Sequence, residues 1–343
     1  MASSNSADPP PPGVPQALGW TLLAAAVLAL SWYLGSVQRE SALRQLESSG
    51  RQELDLYVSH LAGQLDRFAF LPALLAGDFR LQSLLIAPGN SDQRQQVNHF
   101  LTYVNEIAGS LDVYLMDADG VTLAASNWQD DPTFVGDNFA FRPYFIDAMN
   151  GRPGRYYALG TTSGRRGYYF SHPVGDPADP EGVVVVKIDI DTLENNWRSQ
   201  DTDLIVTDPD GVIFISTRPE WRYRSFRPLS AAAIQRVRAS RRYPAEGLAP
   251  LFSALRAVRP SGAEILHVGK PGEAGYLSIA TDMPSAGWRV HLLVSQQVVA
   301  PQVWQTRLFA MSLLLLLAAG AWLYAERIRN RRERELGKLL AMQ

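Results

Sequence analysis

LDVYLMDADGVTLAAS (Leu111–Ser126) and TDLIVTDPDGVIFIS (Thr202–Ser216) are two copies of one pattern. Each is an apolar run of β-branched and aromatic residues, a D-x-D-G turn and a second apolar run, which reads as a hairpin. Asp117, Asp119 and Gly120 match Asp208, Asp210 and Gly211, and the glycine supplies the positive φ that the turn requires. D-x-D-G also occurs in calcium loops. The full series D-x-D-x-D-G with a later Glu is absent here, so the hairpin reading prevails.

Working outward, each hairpin is followed by loops and helix and then by further strands. The expected strands are Arg155–Gly160, Arg166–Ser171 and Gly182–Ile190 in the first copy. In the second they are Ala263–Gly269, Gly275–Asp282 and Trp288–Ser295. Five strands with helices on one side make each copy a small α+β unit, and the two stand in tandem. Asp191–Arg198 reads as a helical link between units, and Gln296–Trp304 as the exit from the second. Upstream, Leu43, Leu46, Leu54, Tyr57, Leu61, Leu65 and Phe68 recur at helical spacing, predicting a long helix over Ser41–Phe70. Its apolar face forms a dimer seam or packs on its own domain, and the two are compatible.

Two further stretches are apolar enough to cross a bilayer, Ala17–Val37 and Leu308–Ala325. Trp20, Trp32, Tyr33, Trp304, Trp322 and Tyr324 lie near their ends, as interfacial aromatics do. The first 38 residues contain no Lys or Arg. That argues against a cleavable signal peptide and for an anchor. Arg327, Arg329, Arg331, Arg332, Arg334 and Lys338 after the second span mark the cytoplasmic side, although Arg39 and Arg44 flank the outer end of the first. The expected organisation is a Pro-rich disordered leader over 1–16, a span over 17–37 and an extracytoplasmic region over 38–303. A second span covers 304–325, and a basic cytoplasmic helix begins over 326–343. The outer region divides into 38–110 (helical stalk), 111–198 (membrane-distal unit) and 199–303 (membrane-proximal unit).

Composition removes several function classes. The 343 residues carry a net charge of −2, so no global field favours nucleic acid. The basic, aromatic segment TRPEWRYRSFRPL (Thr217–Leu229) reads as a surface connection. There is no Cys, which excludes disulfides, thiolate zinc sites and thiol nucleophiles. No G-x-S-x-G, H-E-x-x-H or P-loop is present, so an exported enzyme is the weakest reading.

The chemistry concentrates between Asn138 and Ile190. NFAFRPYF (Asn138–Phe145), ALGTTSG (Ala158–Gly164), RGYYFS (Arg166–Ser171) and GVVVVKIDI (Gly182–Ile190) mix aromatics, hydroxyls and fixed cations. That mixture suits capture of a small anion in a partly apolar pocket. Strand alternation puts Val183, Val185, Lys187 and Asp189 on one face, so Lys187 points from the sheet into a pocket or snorkels from an edge. Pro143 biases Arg142 towards an extended backbone. The Arg142 guanidinium holds a carboxylate in bidentate fashion or makes a structural salt bridge. Tyr144 offers a hydroxyl. Gly160 to Ser163 is an anion cradle or an ordinary polar turn, with Thr162 and Ser163 the preferred pair. Tyr168 and Phe170 face away from Tyr169 and Ser171, and Tyr169 is assigned to the ligand side. Asp189 caps the segment after its strand. Arg152, Arg155, Arg165 and Arg166 read as solvated loop charges.

SNW (Ser126–Trp128), FVGDNFAFRPYF (Phe134–Phe145), ALGTTS, RGYYFS and VVVKID, in this order, resemble the C4-dicarboxylate sensor histidine kinases of the DctB type. The resemblance covers nearly the whole chain and is densest over Leu111–Trp197. It implies an α+β fold of two tandem PAS-like (double Cache) units with a long N-terminal helix, flanked by two transmembrane helices in a bacterial inner membrane. It implies binding of succinate, fumarate or malate in the periplasmic distal unit, with a carboxylate-binding role for Lys187 and a ligand-binding hydroxyl for Tyr144. It also implies a homodimer, a response regulator as partner, and a dicarboxylate transporter as a further partner. A cytoplasmic kinase would use ATP and Mg. In that kinase the chain departs from the family pattern. The five histidines, His60, His99, His172, His267 and His291, all fall outside the membrane, and no Gly-rich ATP segment follows the second span. The chain therefore reads as a sensor portion, cut from a longer protein or lacking its output in nature. No catalytic residue, metal or cofactor is expected in it, and the second unit reads as a coupling module. The runner-up is the same architecture for another small organic anion, feeding a chemoreceptor or a cyclase.

Overall fold

The computed structural model describes residues 14–195, 202–244, 247–268 and 275–340. The chain forms two units, residues 48–295 and residues 1–47 with 296–343. The expected helical link DTLENNWR falls partly on residues 196–198, which lie outside the described residues, as do Gly269, Lys270 and residues 1–13 of the leader.

α1 (Val14–Ala69) contains the helix expected over Ser41–Phe70. Leu54, Leu61, Leu65 and Phe68 are its buried stripe. Gly50 lets it approach the second sheet closely, since a Cβ there would meet Ile279 Cδ1 at 2.5 Å. Pro72 opens α2 (Leu71–Ala76), a position where its missing N–H costs nothing. Side-chain caps from Asp78 and Asn90 start α3 (Phe79–Ile86) and α4 (Ser91–Ala108), and Gly109 at φ 65° ends α4.

The first sheet contains β1 (Asp112–Asp117), β2 (Thr122–Ala125), β3 (Gly154–Leu159), β4 (Arg166–Asp176) and β5 (Asp179–Asp189). α5 (Pro143–Met149) precedes β3 and α6 (Ile190–Asn195) follows β5. The spatial order is β2-β1-β5-β4-β3, antiparallel throughout. The second sheet contains β6 (Thr202–Thr207), β7 (Ile213–Ser216), β8 (Phe252–Val258), β9 (Glu264–Val268), β10 (Gly275–Met283) and β11 (Trp288–Ser295), with α7 (Ala231–Ala239) between β7 and β8. Its order is β7-β6-β11-β10-β9-β8. The repeat is thus topological. β1 and β6 each pair with their own hairpin partner and with the last strand of the unit.

The structure corrects several expectations. Helices cover both faces of the first sheet, with α2 to α4 on one and α5 on the other. The second sheet has a sixth strand, β8. It lies at the edge and pairs with β9 through two register shifts, so its sequence alternates too poorly to be recognised. β4 runs five residues beyond Ser171 through Pro173. Its pairing with β3 stops at Ser171, so Pro173 sits where β4 has one neighbour rather than two. Finally, Thr217–Leu229 is not a surface connection. Trp221 and Phe226 are buried with Leu251, Phe252, Leu266 and Leu293. The flanking arginines reach outward, Arg218 to Asp203 and Arg227 to Glu264, while Arg222 between the rings turns in to Glu194.

α8 (Ala300–Leu340) closes the chain. Windows within Thr21–Ala76 and Gln296–Arg332, of mean hydropathy 1.5 and 2.0, are long and apolar enough to cross a membrane. Trp32, Tyr33, Trp304, Trp322 and Tyr324 are exposed. Within this unit Ser31 Oγ donates to Arg307 O at 3.0 Å, and the Arg307 guanidinium lies 4.2 Å from the Trp32 ring.

The first D-x-D-G turn also fastens the loop above it. Asp117 Oδ1 accepts from Asp119 N and Val121 N, and Phe139 N donates to Gly120 O at 2.9 Å. Gly120 has φ 81°, and a Cβ would lie 2.6 Å from Ala140 N. Gly136 has φ 89° with open space around it. Gly136→Ala is expected to cost about 1–2 kcal/mol from backbone strain alone. Gly120→Ala adds a backbone clash and is expected to cost clearly more. Chemical denaturation of both variants checks this, and equal losses would mean that the Ala140 contact yields freely.

Candidate ligand-binding site

Strand pleating decides what faces α5. Tyr114 and Met116 of β1, Val183 and Val185 of β5, Tyr169 of β4 and Tyr156 of β3 share one buried cluster. Phe134 and Phe139 of the fastened loop and Tyr144 and Phe145 of α5 close over them. Lys187 is in phase with Val183 and Val185, so it enters the same side. Gly167, its neighbour on β4, clears room for the lysine stem, because a Cβ there would be 2.7 Å from Lys187 Cε.

Arg142 caps α5 with an extended backbone, as a residue before Pro should. Its side chain is 2% exposed. Nη2 donates to Leu159 O at 3.2 Å and to Thr161 Oγ1 at 3.4 Å, and Nη1 donates to Arg241 O at 3.4 Å. These are long bonds to neutral oxygens. Among the described residues no carboxylate pairs with Arg142. The salt-bridge reading of this arginine is therefore set aside.

Lys187 is fully buried. Its ammonium donates to Ser163 Oγ at 2.8 Å and lies 3.3 Å from Asp112 Oδ2. It is also 5.3 Å from the Phe134 ring and 5.8 Å from the Tyr169 ring, within cation–π range. Burial lowers the Lys187 pKa and the Asp112 carboxylate opposes that fall. Burial raises the Asp112 pKa, with Lys187 opposing. Asp189 caps as expected, accepting from Asp191 N, and also pairs with Arg165.

Tyr144 stacks on Tyr169 at 5.1 Å, and the Tyr144 and Tyr114 hydroxyls share a 2.7 Å hydrogen bond. Burial raises the pKa of all three phenols, so they stay neutral donors. Ser171 Oγ fixes α5 by donating to Tyr144 O at 2.7 Å. Thr162 Oγ1 donates to Asp137 Oδ2 at 2.6 Å, so its proton is already engaged. Arg142, Tyr144, Thr162 and Tyr169 line one cavity with Tyr114, Phe134, Phe139, Gly160 and Thr161. Ser163 and Lys187 stand behind it, joined to each other. The cavity measures about 10 Å³, the space of about one water molecule.

Tyr114 and Asp112 escaped the sequence reading. Both had a signal. Tyr114 places a hydroxyl where the second repeat has Ile205, and Asp112 is in cross-strand register with Lys187. Arg166 is a correction of another kind. It is 4% exposed rather than solvated. It pairs with Asp191 and Glu194 and donates to Phe214 O of β7 at 3.0 Å. Glu194 also binds Arg222 and accepts from Ser216 N at 2.7 Å. The charge that opens RGYYFS thus ties the two sheets together. Arg152 pairs with Asp147, and Arg155 donates to Ser285 O.

No protein-family model matches the chain. The chain is 34% identical over 296 residues to the C4-dicarboxylate transport sensor protein DctB of Pseudomonas aeruginosa, an alignment covering 86% of this chain and 45% of the relative. It is 33% identical over 279 residues to the protein of the same name from Rhizobium meliloti, covering 81% and 44%. The chain therefore spans less than half the length of these curated relatives. The crystal structure of the V. cholerae histidine kinase DctB sensor domain superimposes with a TM-score of 0.69 and 32% identity, covering 74% of this chain and 98% of that one.

Asp112→Asn tests the electrostatics of the site. It leaves the Lys187 ammonium buried without its carboxylate, so the lysine pKa falls further than in the parent. Unfolded Lys187 titrates near about 10.4. Between the depressed folded pKa and that value the unfolded chain binds more protons, so stability rises with pH. The variant is expected to be destabilised by about 3 kcal/mol at neutral pH and to recover part of the loss as pH rises. Denaturation at a series of pH values checks this; a loss independent of pH would mean that Asp112 acts through packing.

Proposed function

Because the chain belongs to the DctB-type sensor family, whose sensor portion it matches, we propose that it is the sensor of a two-component system and binds a C4-dicarboxylate such as succinate, fumarate or malate. The observation that carries this reading is the buried Arg142 guanidinium with no carboxylate partner among the described residues, on a cavity whose Tyr169 wall has the Lys187 ammonium 5.8 Å behind it. A dicarboxylate brings two anionic ends, and each needs charge-assisted hydrogen bonds once dehydrated. Arg142 takes one end in bidentate fashion. Lys187, with Ser163 and the cradle at Thr162, takes the other, while the Tyr144, Tyr114 and Tyr169 hydroxyls supply neutral donors. The names of the curated relatives favour this class over another organic anion.

At about 10 Å³ the cavity is too small for such a ligand, so binding must open it. The Tyr114–Tyr144 bond and the long Arg142 contacts are the ones to yield. One of these, from Nη1 to Arg241 O, reaches the segment after α7. Arg241 has a strained φ of 46°. A ligand that draws Arg142 into the cavity releases that carbonyl, and the Arg166–Glu194 cluster carries the movement of the Thr162 turn to β7. A ligand shifts this equilibrium only by its difference in affinity between the two states. The sensor lies in the periplasm of a bacterial inner membrane, held by α1 and α8. The protein acts as a homodimer with a cytoplasmic histidine kinase and a response regulator, and a dicarboxylate transporter is a further partner.

Calorimetric titration of the full chain in detergent tests the reading. Succinate is expected to saturate one site, and acetate, with one carboxylate, to bind at least about a hundredfold more weakly. Lys187→Ala and Arg142→Ala are each expected to cost about 3 kcal/mol of binding or more. Near-normal affinity in Lys187→Ala would remove that residue from the site. No succinate binding by a folded sample would move the ligand to another class.

A pH dependence arises from the lowered Lys187 pKa. A dianion favours the ammonium, so affinity is highest below that pKa and falls as pH rises through it. Binding then takes up a proton in that window, which appears as a dependence of the measured enthalpy on the buffer. No such dependence at any alkaline pH would mean that the lysine does not face the ligand's charge.

A further inference from the structure

The matching face of the second sheet carries a much larger cavity, about 620 Å³, within the size range of small-molecule sites. In register, Val185 of the first sheet corresponds to His291, and Lys187 to Leu293. The second cavity therefore has no counterpart of the buried lysine. It offers a different set of groups.

His291 lines this cavity, is 5% exposed and stacks on Phe226 with ring centroids 4.2 Å apart. Burial holds its pKa down to about 3, so the ring is neutral at physiological pH. Thr207 Oγ1 lies 3.4 Å both from Arg289 O and from His291 Nε2. A hydroxyl has one proton. Given to the carbonyl, it leaves Oγ1 to accept from Nε2–H, and His291 Nδ1 then carries a lone pair. Among the described residues Nδ1 has no partner. A buried acceptor left unpaired is costly, and because Nδ1 is covered, a ligand donor satisfies it only as the His291 ring turns.

The charges around the cavity are balanced. Arg227 is bonded to Glu264, and the lining carboxylates Asp210 and Asp208 are paired with Arg236 and Arg242. Arg289 and Asp282, cross-strand neighbours on β11 and β10, are 3.6 Å apart, beyond hydrogen-bond distance, and both are exposed. A dianion finds no uncompensated cation here. A zwitterion can enter the loose pair, each of its charges meeting an opposite one. Arg289 and His291 are two residues apart on one strand and so share a face.

We propose that this cavity is a second binding site of the sensor, for a small zwitterionic amino acid. The ligand carboxylate meets Arg289 and its ammonium meets Asp282; the covered His291 Nδ1 lone pair joins them when the ring turns towards the cavity. The second unit is then a binding module as well as a coupling one.

The test uses the full chain in detergent carrying Lys187→Ala, which silences the first site. Alanine, serine and glutamine are titrated by calorimetry, with lactate lacking the ammonium and ethanolamine lacking the carboxylate. His-selective ¹⁵N spectra report on Nδ1. At least one amino acid is expected to saturate and to shift a single unprotonated ring resonance, which His291→Gln removes. Lactate and ethanolamine are expected to bind at least about tenfold more weakly. Ala280 lies directly across from His291, so Ala280→Trp fills the cavity and should abolish binding. Asp282→Asn, on an exposed side chain that the fold does not need, should weaken binding about tenfold. The proposal is overturned if no amino acid binds at about 10 mM. It is equally overturned if binding survives Asp282→Asn within about twofold or leaves the histidine signals unmoved.

Discussion

A guanidinium buried among aromatic rings, and held only by neutral oxygens, organises the first sheet. Removing a full charge from water costs several kcal/mol unless hydrogen bonds and counter-charge compensate it. Arg142 has the hydrogen bonds, but the counter-charge is missing among the described residues. Much local structure exists to hold it there. Pro143 sets the backbone before α5, Ser171 pins α5 through Tyr144 O, and the D-A-D-G turn ties down the loop carrying Phe139. Lys187 is a second buried cation, yet it has Asp112 and Ser163 and stands at rest. The two cations are therefore not equivalent. In the proposed reading Arg142 gains a counter-charge from the ligand, whereas Lys187 exchanges one for another.

The tandem repeat shows how one framework is given two chemistries. The hairpin, the strand order and the Asp-Gly turn are shared. Asp117 Oδ1 and Asp208 Oδ1 each accept from the backbone N–H four residues on. Asp208 then uses Oδ2 for Arg242 and Tyr243, which ties the segment after α7 to the turn. The differences fall on the inward positions of β1 and β5 against β6 and β11. Tyr114 becomes Ile205, Val185 becomes His291 and Lys187 becomes Leu293. Three exchanges move the polar groups from the middle of the face towards the turn, and the cavity moves with them.

Much of this was legible in the residues. The alternation of GVVVVKIDI grouped Lys187 with Val183 and Val185, and that of RGYYFS grouped Tyr169 with Ser171; the resemblance turned Lys187 inward, and Tyr169 was assigned to that side without a local signal. The grouping comes from a period of two, which the local sequence sets; the choice of inward face does not. What escaped were partners supplied by pairing. Asp112 opposes Lys187 only because β1 and β5 are adjacent, although the repeat lies far from β5 in sequence. Arg166 looked like its neighbours Arg152, Arg155 and Arg165, and nothing local distinguishes it. Its burial comes from Glu194 and Asp191 across α6 and from a carbonyl of the other sheet. Aromatic–arginine alternation misled at Thr217–Leu229 for a related reason. The charges were read as the fate of the whole segment, whereas its rings form the core and Arg222 itself is drawn in to Glu194.

The proposed coupling route also has a physical reason to be where it is. A closed aromatic cavity cannot admit a ligand by small graded shifts, because packed cores are stiff and rearrange between discrete states. The contacts that give way must be weak in the closed state and replaceable in the open one. The three Arg142 contacts, at 3.2 to 3.4 Å, meet the first condition. A carboxylate offering two parallel bonds meets the second. The bond from Arg142 to Arg241 O joins the cavity to the other repeat, and its release frees a residue held at φ 46°. The Arg166–Glu194 cluster, by contrast, is buried, multiply bonded and rigid. In the proposed reading the Arg166 cluster stays bonded and so transmits the movement of the Thr162 turn to β7, while the Arg241 segment is released.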